Sequence, residues 1–187
     1  MVCGFSDAAQ TSACTVTRPT ILLTGLPGCG KTTLIKCVVQ RLDRLRLAGF
    51  YTQELLGANG RRVGFEAIGL NGRSTTLAHI SSKSKVRVGR YGVELAGFER
   101  LINKELADDA DVDLFVVDEI GKMECFSRRF VELVRKLIER RSPVLASVAM
   151  KGSGLIQEVK RLRDAELITV STGNRDGLVE DLVARLA

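Results

Sequence analysis

A glycine-rich loop between an apolar strand and an amphipathic helix is the feature that most restricts how this chain can fold. Residues 25–32 read Gly-Leu-Pro-Gly-Cys-Gly-Lys-Thr and match the pattern G-x-x-x-x-G-K-[ST] at every fixed position. Residues 21–24 before it are typical of a buried strand, and a helix is predicted from about Lys31. The glycines let backbone N–H groups point at phosphate oxygens, and the helix adds its positive end. The loop is therefore predicted to bind the phosphates of a nucleotide.

The side chains of this loop have expected roles in holding a nucleoside triphosphate. The Lys31 ammonium is expected to contact the β- and γ-phosphates, the Thr32 hydroxyl to bind Mg²⁺, and Thr33 to contact the α-phosphate. A dinucleotide-binding loop is disfavoured, because the G-x-G-x-x-G spacing is absent and Lys31 would have no role. The nucleotide-binding residues predicted in this loop are Gly25, Leu26, Pro27, Gly28, Cys29, Gly30, Lys31, Thr32 and Thr33.

Two carboxylates at the end of a second apolar run supply the other half of the expected site. Residues 114–117 are apolar, and Asp118 and Glu119 follow them. Asp118 is predicted to bind Mg²⁺ together with Thr32, and Glu119 to be the general base that deprotonates a water molecule. The alternative for Glu119 is a cap or an ion pair at the strand end. Ser147, near the end of a later predicted strand, is either a sensor between Asp118 and the γ-phosphate or an ordinary strand-end serine.

Apolar strands that alternate with amphipathic helices predict an α/β fold. Such alternation specifies a mainly parallel sheet with helices on both faces, which is a three-layer sandwich. The predicted strands are 21–24, 50–55, 114–119, 144–148 and 167–170. One helix is predicted to begin near residue 31, and four others are predicted over about 94–107, 127–141, 154–163 and 176–186.

Two Asn-Gly pairs predict an antiparallel addition to this sheet. Asn59-Gly60 and Asn71-Gly72 lie between strand-like stretches, and Asn-Gly favours the positive φ angles of a type I′ hairpin turn. Residues 50–78 are therefore predicted to form an antiparallel β-meander attached to the parallel core. An acidic break at Asp108-Asp109 precedes the strand that carries Asp118.

The ends and the cysteines bear on domain organisation and location. Residues 1–18 lack apolar periodicity and are predicted to be a flexible tail, so that 19–187 form the nucleotide-binding domain. The tail has no secretory apolar core, although a role in organelle targeting stays open. No apolar run approaches the ~18 residues of a membrane span.

Five scattered cysteines without C-x-x-C suggest reduced thiols, and the single His79 excludes a histidine-rich metal site. A cytoplasmic protein without a membrane segment is expected.

The net charge and the aromatic content of the chain indicate which binding partners to expect. The chain has 28 basic and 22 acidic residues, a net charge of +6, for which a triphosphate pocket is already a reason. Aromatic residues make up only 5%, with no tryptophan, which leaves few platforms for stacking single-stranded bases. The basic residues of the helix predicted over 127–141 are expected to face solvent. Nucleoside triphosphates are the expected partners, nucleic acid is not, and a monomer is expected.

Six short motifs follow one another between about residues 20 and 186. They are the loop 25–32, Gly49-Phe50-Tyr51-Thr52, Arg62-Val63-Gly64-Phe65, Val88-Gly89-Arg90-Tyr91, Asp118-Glu119-Ile120-Gly121-Lys122-Met123-Glu124 and Asn174-Arg175. Together they resemble the cancer-related nucleoside-triphosphatase family, known also from thermophilic prokaryotes. The resemblance implies a RecA-like P-loop NTPase core that hydrolyses the terminal phosphate of ATP, GTP and other nucleoside triphosphates with little base preference. It also implies that residues 114–121, including Gly121, contact the nucleotide.

The chain departs from the family pattern at two places. Its N-terminal tail is longer, and Met150-Lys151-Gly152 stands where relatives often carry a proline-containing loop. These departures bear on targeting and loop shape, and the residues of the expected chemistry are unaffected.

Three basic motif residues are candidates for stabilising the transferring phosphoryl group. Lys122, just past the two acids, either neutralises charge on that group or forms a salt bridge with Glu124. Arg62 and Arg90 are candidates for the same role, and the alternative for each is an exposed arginine at a strand edge.

The Asn174-Arg175 pair is placed to hydrogen-bond or stack on the base. The alternative is a helix N-terminal turn in which Asn174 or Asp176 is the cap.

These features together predict a magnesium-dependent nucleoside-triphosphate phosphohydrolase, with Glu119, Lys31 and Lys122 as its catalytic residues. A small nucleotide or nucleoside kinase and a nucleotide-dependent RNA-binding switch are the alternatives. The kinase would need an acceptor pocket and an arginine-rich lid, and the switch would be stimulated by RNA or DNA.

Overall fold

The computed structural model describes residues 19–107 and 111–187. The tail predicted for residues 1–18 and the acidic break at Asp108-Asp109 lie outside the described residues. Within the described ranges, no helix is both long enough and apolar enough to cross a bilayer.

The described chain forms nine strands and five α-helices. The strands are β1 (Thr20–Thr24), β2 (Leu47–Leu56), β3 (Arg62–Gly69), β4 (Ser74–His79), β5 (Arg87–Val88), β6 (Tyr91–Val93), β7 (Leu114–Ile120), β8 (Val144–Val148) and β9 (Ala165–Thr169). The helices are α1 (Lys31–Arg41), α2 (Leu95–Glu105), α3 (Arg128–Glu139), α4 (Leu155–Lys160) and α5 (Arg175–Leu186), and a 3₁₀ turn spans Glu124–Phe126. The predicted strands and helices are all present, and their ends differ from the prediction by up to three residues.

All nine strands belong to one sheet in the order β5-β6-β4-β3-β2-β7-β8-β1-β9. Pairing is parallel from β2 through β9 in this order, and antiparallel from β2 outward to β5. The predicted parallel core with an attached meander is therefore confirmed. The antiparallel part extends beyond residue 78, because β5 and β6 add a further hairpin to β4.

Helices cover both faces of the parallel core and bury its alternating side chains. Leu114 and Val116 of β7 pack in the cluster with α1 and α5, whereas Phe115 and Val117 pack in the cluster with α2, α3 and α4. Phe50 of β2 contacts the ring of Phe98 edge-on, with centroids 5.4 Å apart. This alternation produces the three-layer sandwich.

The two Asn-Gly turns differ from the predicted type I′ geometry. Gly60 (φ 70°) and Gly72 (φ 85°) have positive φ angles, but among the described residues other than glycine only Arg141 does. The Gly60 amide donates to the Gly57 carbonyl at 2.9 Å, and the Asn59 side-chain oxygen accepts from the Arg61 amide. Each asparagine therefore uses its side chain to close the turn and leaves the left-handed conformation to glycine.

Gly49 is required where β2 pairs with β7. Its φ is 128°, and an added Cβ would lie 2.7 Å from the carbonyl carbon of Val116, its partner in the sheet. Gly49→Ala is expected to lower the free energy of unfolding by at least about 2 kcal/mol, measured by urea denaturation. Gly177→Ala is the control, since this helical glycine has open space around its Cβ position. A loss of stability as small as that of the control would contradict the steric argument.

Candidate active site

The site lies at the carboxyl ends of three neighbouring parallel strands. The glycine-rich loop follows β1, and Asp118 and Glu119 lie near the end of β7. Because β8 is the only strand between β1 and β7 in the sheet, the loop and the acids face each other across one strand. Sheet order therefore brings together the two halves that the sequence predicts.

The glycine-rich loop presents backbone donors to a shared space. Gly30 (φ 96°) is the N-terminal cap of α1 and makes no side-chain capping bond, so the first amides of the helix are available to an anion. The Lys31 ammonium folds back to the Gly25 carbonyl at 3.2 Å. Leu26 is exposed and Cys29 is buried in the core beside α1, so neither side chain faces the cavity.

A cavity of about 600 Å³ joins the loop to the acids. Its lining includes the predicted residues Pro27, Gly28, Gly30, Lys31, Thr32, Thr33, Glu119, Gly121 and Lys122. Its far wall comes from the antiparallel part of the sheet, with Glu54, Arg62, Phe65, Leu77 and Val88. One continuous space thus contacts the phosphate loop, the predicted base and the meander.

Asp118 lies buried behind this cavity with one oxygen unpaired. The Ser147 hydroxyl donates to Oδ1, whereas Oδ2 has no hydrogen-bond partner among the described residues. Burial raises the pKa of Asp118, and the Ser147 and Thr32 hydroxyls and the charge of Lys31 oppose that rise. Ser147 therefore makes one of the two contacts that the sensor interpretation requires, the contact with Asp118. A buried, unpaired carboxylate oxygen calls for a cation or a water molecule.

The donors around Asp118 fit a magnesium ion. Asp118 and the Thr32 hydroxyl offer hard oxygen ligands, which Mg²⁺ prefers. Mg²⁺ in nucleotide sites usually keeps waters and phosphate oxygens for its remaining positions. The described part of the chain holds no cluster of three or more His, Cys, Asp or Glu side chains that would form an all-protein metal site.

Glu119 is half-buried and lines the cavity. Burial raises its pKa, Lys31 lowers it, Asp118 raises it and Lys160 lowers it. No hydrogen bond or ion pair holds its carboxylate in the described chain, so the alternative of a capping or pairing role finds no support. An unpaired carboxylate at the cavity wall can accept a proton from a bound water.

Glu124 is a buried acid that motif reasoning treats only as a possible partner of Lys122. It lines the cavity, and burial raises its pKa to about 8, with smaller effects from Glu119 and Asp118. In the sequence, only its position in the motif 118–124 indicates that it belongs to the site. The 3₁₀ turn that begins at Glu124 places its carboxylate next to Gly121. At neutral pH this carboxyl is mostly protonated.

The basic candidates occupy different places. Lys122 is exposed, lines the cavity and forms no salt bridge with Glu124 in the described structure. Arg62 also lines the cavity, but its guanidinium donates to Glu54 at 2.5 Å and to the Tyr91 hydroxyl at 3.1 Å. Arg90 lies outside the lining and donates to the Arg62 carbonyl at 2.6 Å. The geometry favours Lys122 for direct contact with phosphate.

Asn174 and Arg175 lie on the other side of the loop. The Asn174 amide donates to the Thr169 carbonyl at 2.9 Å, and its oxygen accepts from the Ser171 amide at 2.8 Å. Both groups therefore close the turn before α5, and Asn174 makes no side-chain capping bond. A Cβ on Gly30 would lie 2.6 Å from Arg175 Cδ, so Arg175 packs directly on the phosphate loop.

The excess positive charge lies in one segment of the sequence, most of it outside the cavity lining. Residues 57–92 contain seven basic residues and one acidic residue, which accounts for the whole net charge of +6. These basic residues are exposed on the antiparallel part of the sheet. Of these seven basic residues only Arg62 lines the cavity that contains the phosphate loop.

Comparisons with known proteins agree with this geometry. A family profile described as NTPase matches residues 20–183. The chain is 41% identical over 176 residues to nucleoside-triphosphatase THEP1 of Natranaerobius thermophilus, covering 91% of this chain and 98% of the relative. It is 33% identical over 179 residues to the cancer-related nucleoside-triphosphatase of Homo sapiens, covering 87% of this chain and 94% of the relative.

Two solved structures share the fold. The crystal structure of THEP1 from Aquifex aeolicus superposes with a TM-score of 0.79 at 37% identity, covering 89% of this chain and 98% of that one. The solution structure of a human cancer-related nucleoside triphosphatase gives 0.74 at 33% identity, covering 89% and 96%. The family profile spans most of the chain and several relatives exceed 30% identity over nearly their full length. The chain therefore belongs to the nucleoside-triphosphatase family, as its motifs predict.

Proposed function

We propose that the protein is a magnesium-dependent phosphohydrolase of nucleoside triphosphates. The observation that carries the proposal is the unpaired carboxylate of Glu119 in the same cavity as Lys31 and Thr32. Relatives over nearly the whole chain are named nucleoside-triphosphatases, which supports hydrolysis as the reaction. The products are the nucleoside diphosphate and inorganic phosphate.

The proposed reaction is an in-line attack by water. The water oxygen forms a bond to the γ-phosphorus, the bond from that phosphorus to the β–γ bridging oxygen breaks, and Glu119 takes a water proton. Lys31, Lys122 and the α1 amides neutralise the charge that spreads over the phosphoryl oxygens. Thr32 and Asp118 would hold Mg²⁺, which supplies further neutralisation of the phosphates when bound.

Broad base tolerance is part of the proposal. The polar groups of Asn174 are engaged within their own turn, which leaves Arg175 as the neighbour of the loop on that side. A guanidinium can stack on any base without reading its hydrogen-bonding edge. We further propose a location in the cytoplasm, which the free cysteines of the described residues support, and a monomeric state.

A phosphotransferase is the second candidate. The cavity continues beyond Glu119 to a wall that includes Phe65, Leu77 and Val88, with the Arg62–Glu54 pair at its edge. That space is the observation that favours an acceptor molecule in place of water. Phosphate release with nucleoside triphosphate and magnesium alone favours hydrolysis, whereas a requirement for added nucleoside or monophosphate favours transfer.

Glu119→Gln tests the proposed base. Turnover is expected to fall by about 10²–10⁴-fold because the proton acceptor is lost, while triphosphate affinity stays within about twofold. The measurement is phosphate release from a panel of nucleoside tri-, di- and monophosphates, with and without Mg²⁺. Glu54→Gln is the matched control, since it removes a cavity carboxylate that is paired with Arg62. Unchanged turnover in Glu119→Gln would remove Glu119 from the mechanism.

Replacing each of the three basic candidates by alanine should lower kcat to a different extent. Lys122→Ala is expected to lower kcat by about 10²-fold, because its ammonium lines the cavity without a protein partner, and Arg90→Ala should stay within about threefold. Arg62→Ala should fall between them, since its charge is shared with Glu54. A larger loss for Arg90→Ala than for Lys122→Ala in steady-state assays would reverse the assignment.

Glu124 should make stability depend on pH. Its pKa rises from an ordinary 4.5 to about 8 in the folded chain, so the folded state holds a proton that the unfolded state has released. This contribution to stability is therefore full below pH of about 4.5 and is lost as pH rises toward 8, by at most about 1.4 kcal/mol per pH unit. Between pH of about 4.5 and 8, the free energy of unfolding measured by urea denaturation should fall less steeply with pH in Glu124→Gln than in the wild type. A decline as steep as that of Glu132→Gln, an exposed control, would contradict this.

A further inference from the structure

The loop that follows β8 occupies the centre of the site. Because β8 lies between β7 and β1, the residues just beyond its end emerge between the acids and the phosphate loop. Ala149 and Lys151 of this loop line the same cavity as Lys31 and Glu119. Lys151 is therefore placed where the terminal phosphates of a bound nucleotide would lie.

Lys160 anchors this loop from behind. Its ammonium donates to the carbonyls of Ala149 at 2.5 Å and Met150 at 2.9 Å, the two residues that precede Lys151. The Ala149 amide also donates to the Ile120 carbonyl of β7 at 3.1 Å. Lys160 itself ends α4, a helix whose buried side chains hold it against the core. The backbone just before Lys151 is thus held both by α4 and by β7.

The charge of Lys151 has no partner among residues 19–107 and 111–187. Its side chain is exposed, and no hydrogen bond or ion pair occupies its ammonium in the described chain. Of the other cavity cations, Lys31 donates to the Gly25 carbonyl and Arg62 is paired with Glu54. The ammonium of Lys160 donates to the carbonyl oxygens of Ala149 and Met150. Lys151 and Lys122 are therefore the lining cations whose ammonium groups have no partner among the described residues.

We propose that Lys151 contacts the polyphosphate of the bound nucleotide and that Lys160 is the positioning residue that presents it. A fixed backbone lowers the entropy that a lysine loses when its ammonium is held at one place. The contact between an ammonium and phosphate oxygens is a charge-assisted hydrogen bond, among the stronger polar interactions. This inference rests on the proposed function, because it assumes a triphosphate in this cavity.

Nucleotide binding tests the role of Lys151 directly. The dissociation constant of the magnesium complex of a β,γ-imido ATP analogue, measured by calorimetry, is expected to rise about tenfold in Lys151→Ala. Lys151→Arg should recover most of the affinity, since a cation is kept. Lys136→Ala on α3 is the matched control, because it removes the same charge from an exposed helix outside the cavity. A change within about twofold in Lys151→Ala would overturn the proposal.

A double-mutant cycle tests the positioning role of Lys160. Lys160→Met should weaken binding about fivefold in the wild type and have no further effect in the Lys151→Ala background. A role limited to general stability would give the same penalty in both backgrounds, and that outcome would overturn the positioning role. Urea denaturation of each variant checks that it folds.

The outcomes also separate this inference from the proposed function. If the wild-type protein released no phosphate from any triphosphate, the proposed function itself would fail. If it released phosphate and lost that activity in Glu119→Gln, yet bound nucleotide equally well without Lys151, only the present inference would fail.

Discussion

Parallel pairing of β8 with both β1 and β7 is the interaction on which the site depends. The register aligns Ile21 with Leu145 on one side and Val116 with Leu145 on the other, so the three strands end at one edge. The phosphate loop, the two acids and the loop that carries Lys151 are the continuations of these strands. Their side chains meet because hydrogen-bonded backbone, buried on both faces, leaves the strand ends little freedom.

Burial sets the electrostatics of this edge. Asp118 and Glu124 are removed from water, which raises the pKa of each carboxyl, and Lys31 and the nearby hydroxyls only partly offset the rise at Asp118. A site of this kind favours ligands that bring compensating charge, and a magnesium–triphosphate complex brings both signs. The unpaired oxygen of Asp118 and the free ammonium groups at the rim are complementary to such a complex.

Several residues show why motif reasoning reached only part of the site. Glu119 lines the cavity because it lies at the end of a parallel strand next to the one that carries the loop after β8. The link between Lys122 and Glu124 was an open alternative from spacing, and the structure separates them because the 3₁₀ turn buries Glu124 while Lys122 stays exposed. The sequence predicts Asn174 either near the base or in the turn that begins a helix, and its side chain closes the turn before α5. The burial of Glu124 depends on packing between segments, whereas the partners of Asn174 are close to it in sequence.

The amino-acid sequence alone is enough to predict the phosphate loop, the order of strands and helices, the α/β class and the pair of acids. Hydrophobic period and glycine spacing express short-range sterics and burial, which is why they sufficed. Only the tertiary structure decided that β5 and β6 extend the meander, that the excess charge lies on it, and that Lys160 holds the loop of Lys151. These arrangements arise from strand order and packing between segments far apart in the chain, and no local pattern records them.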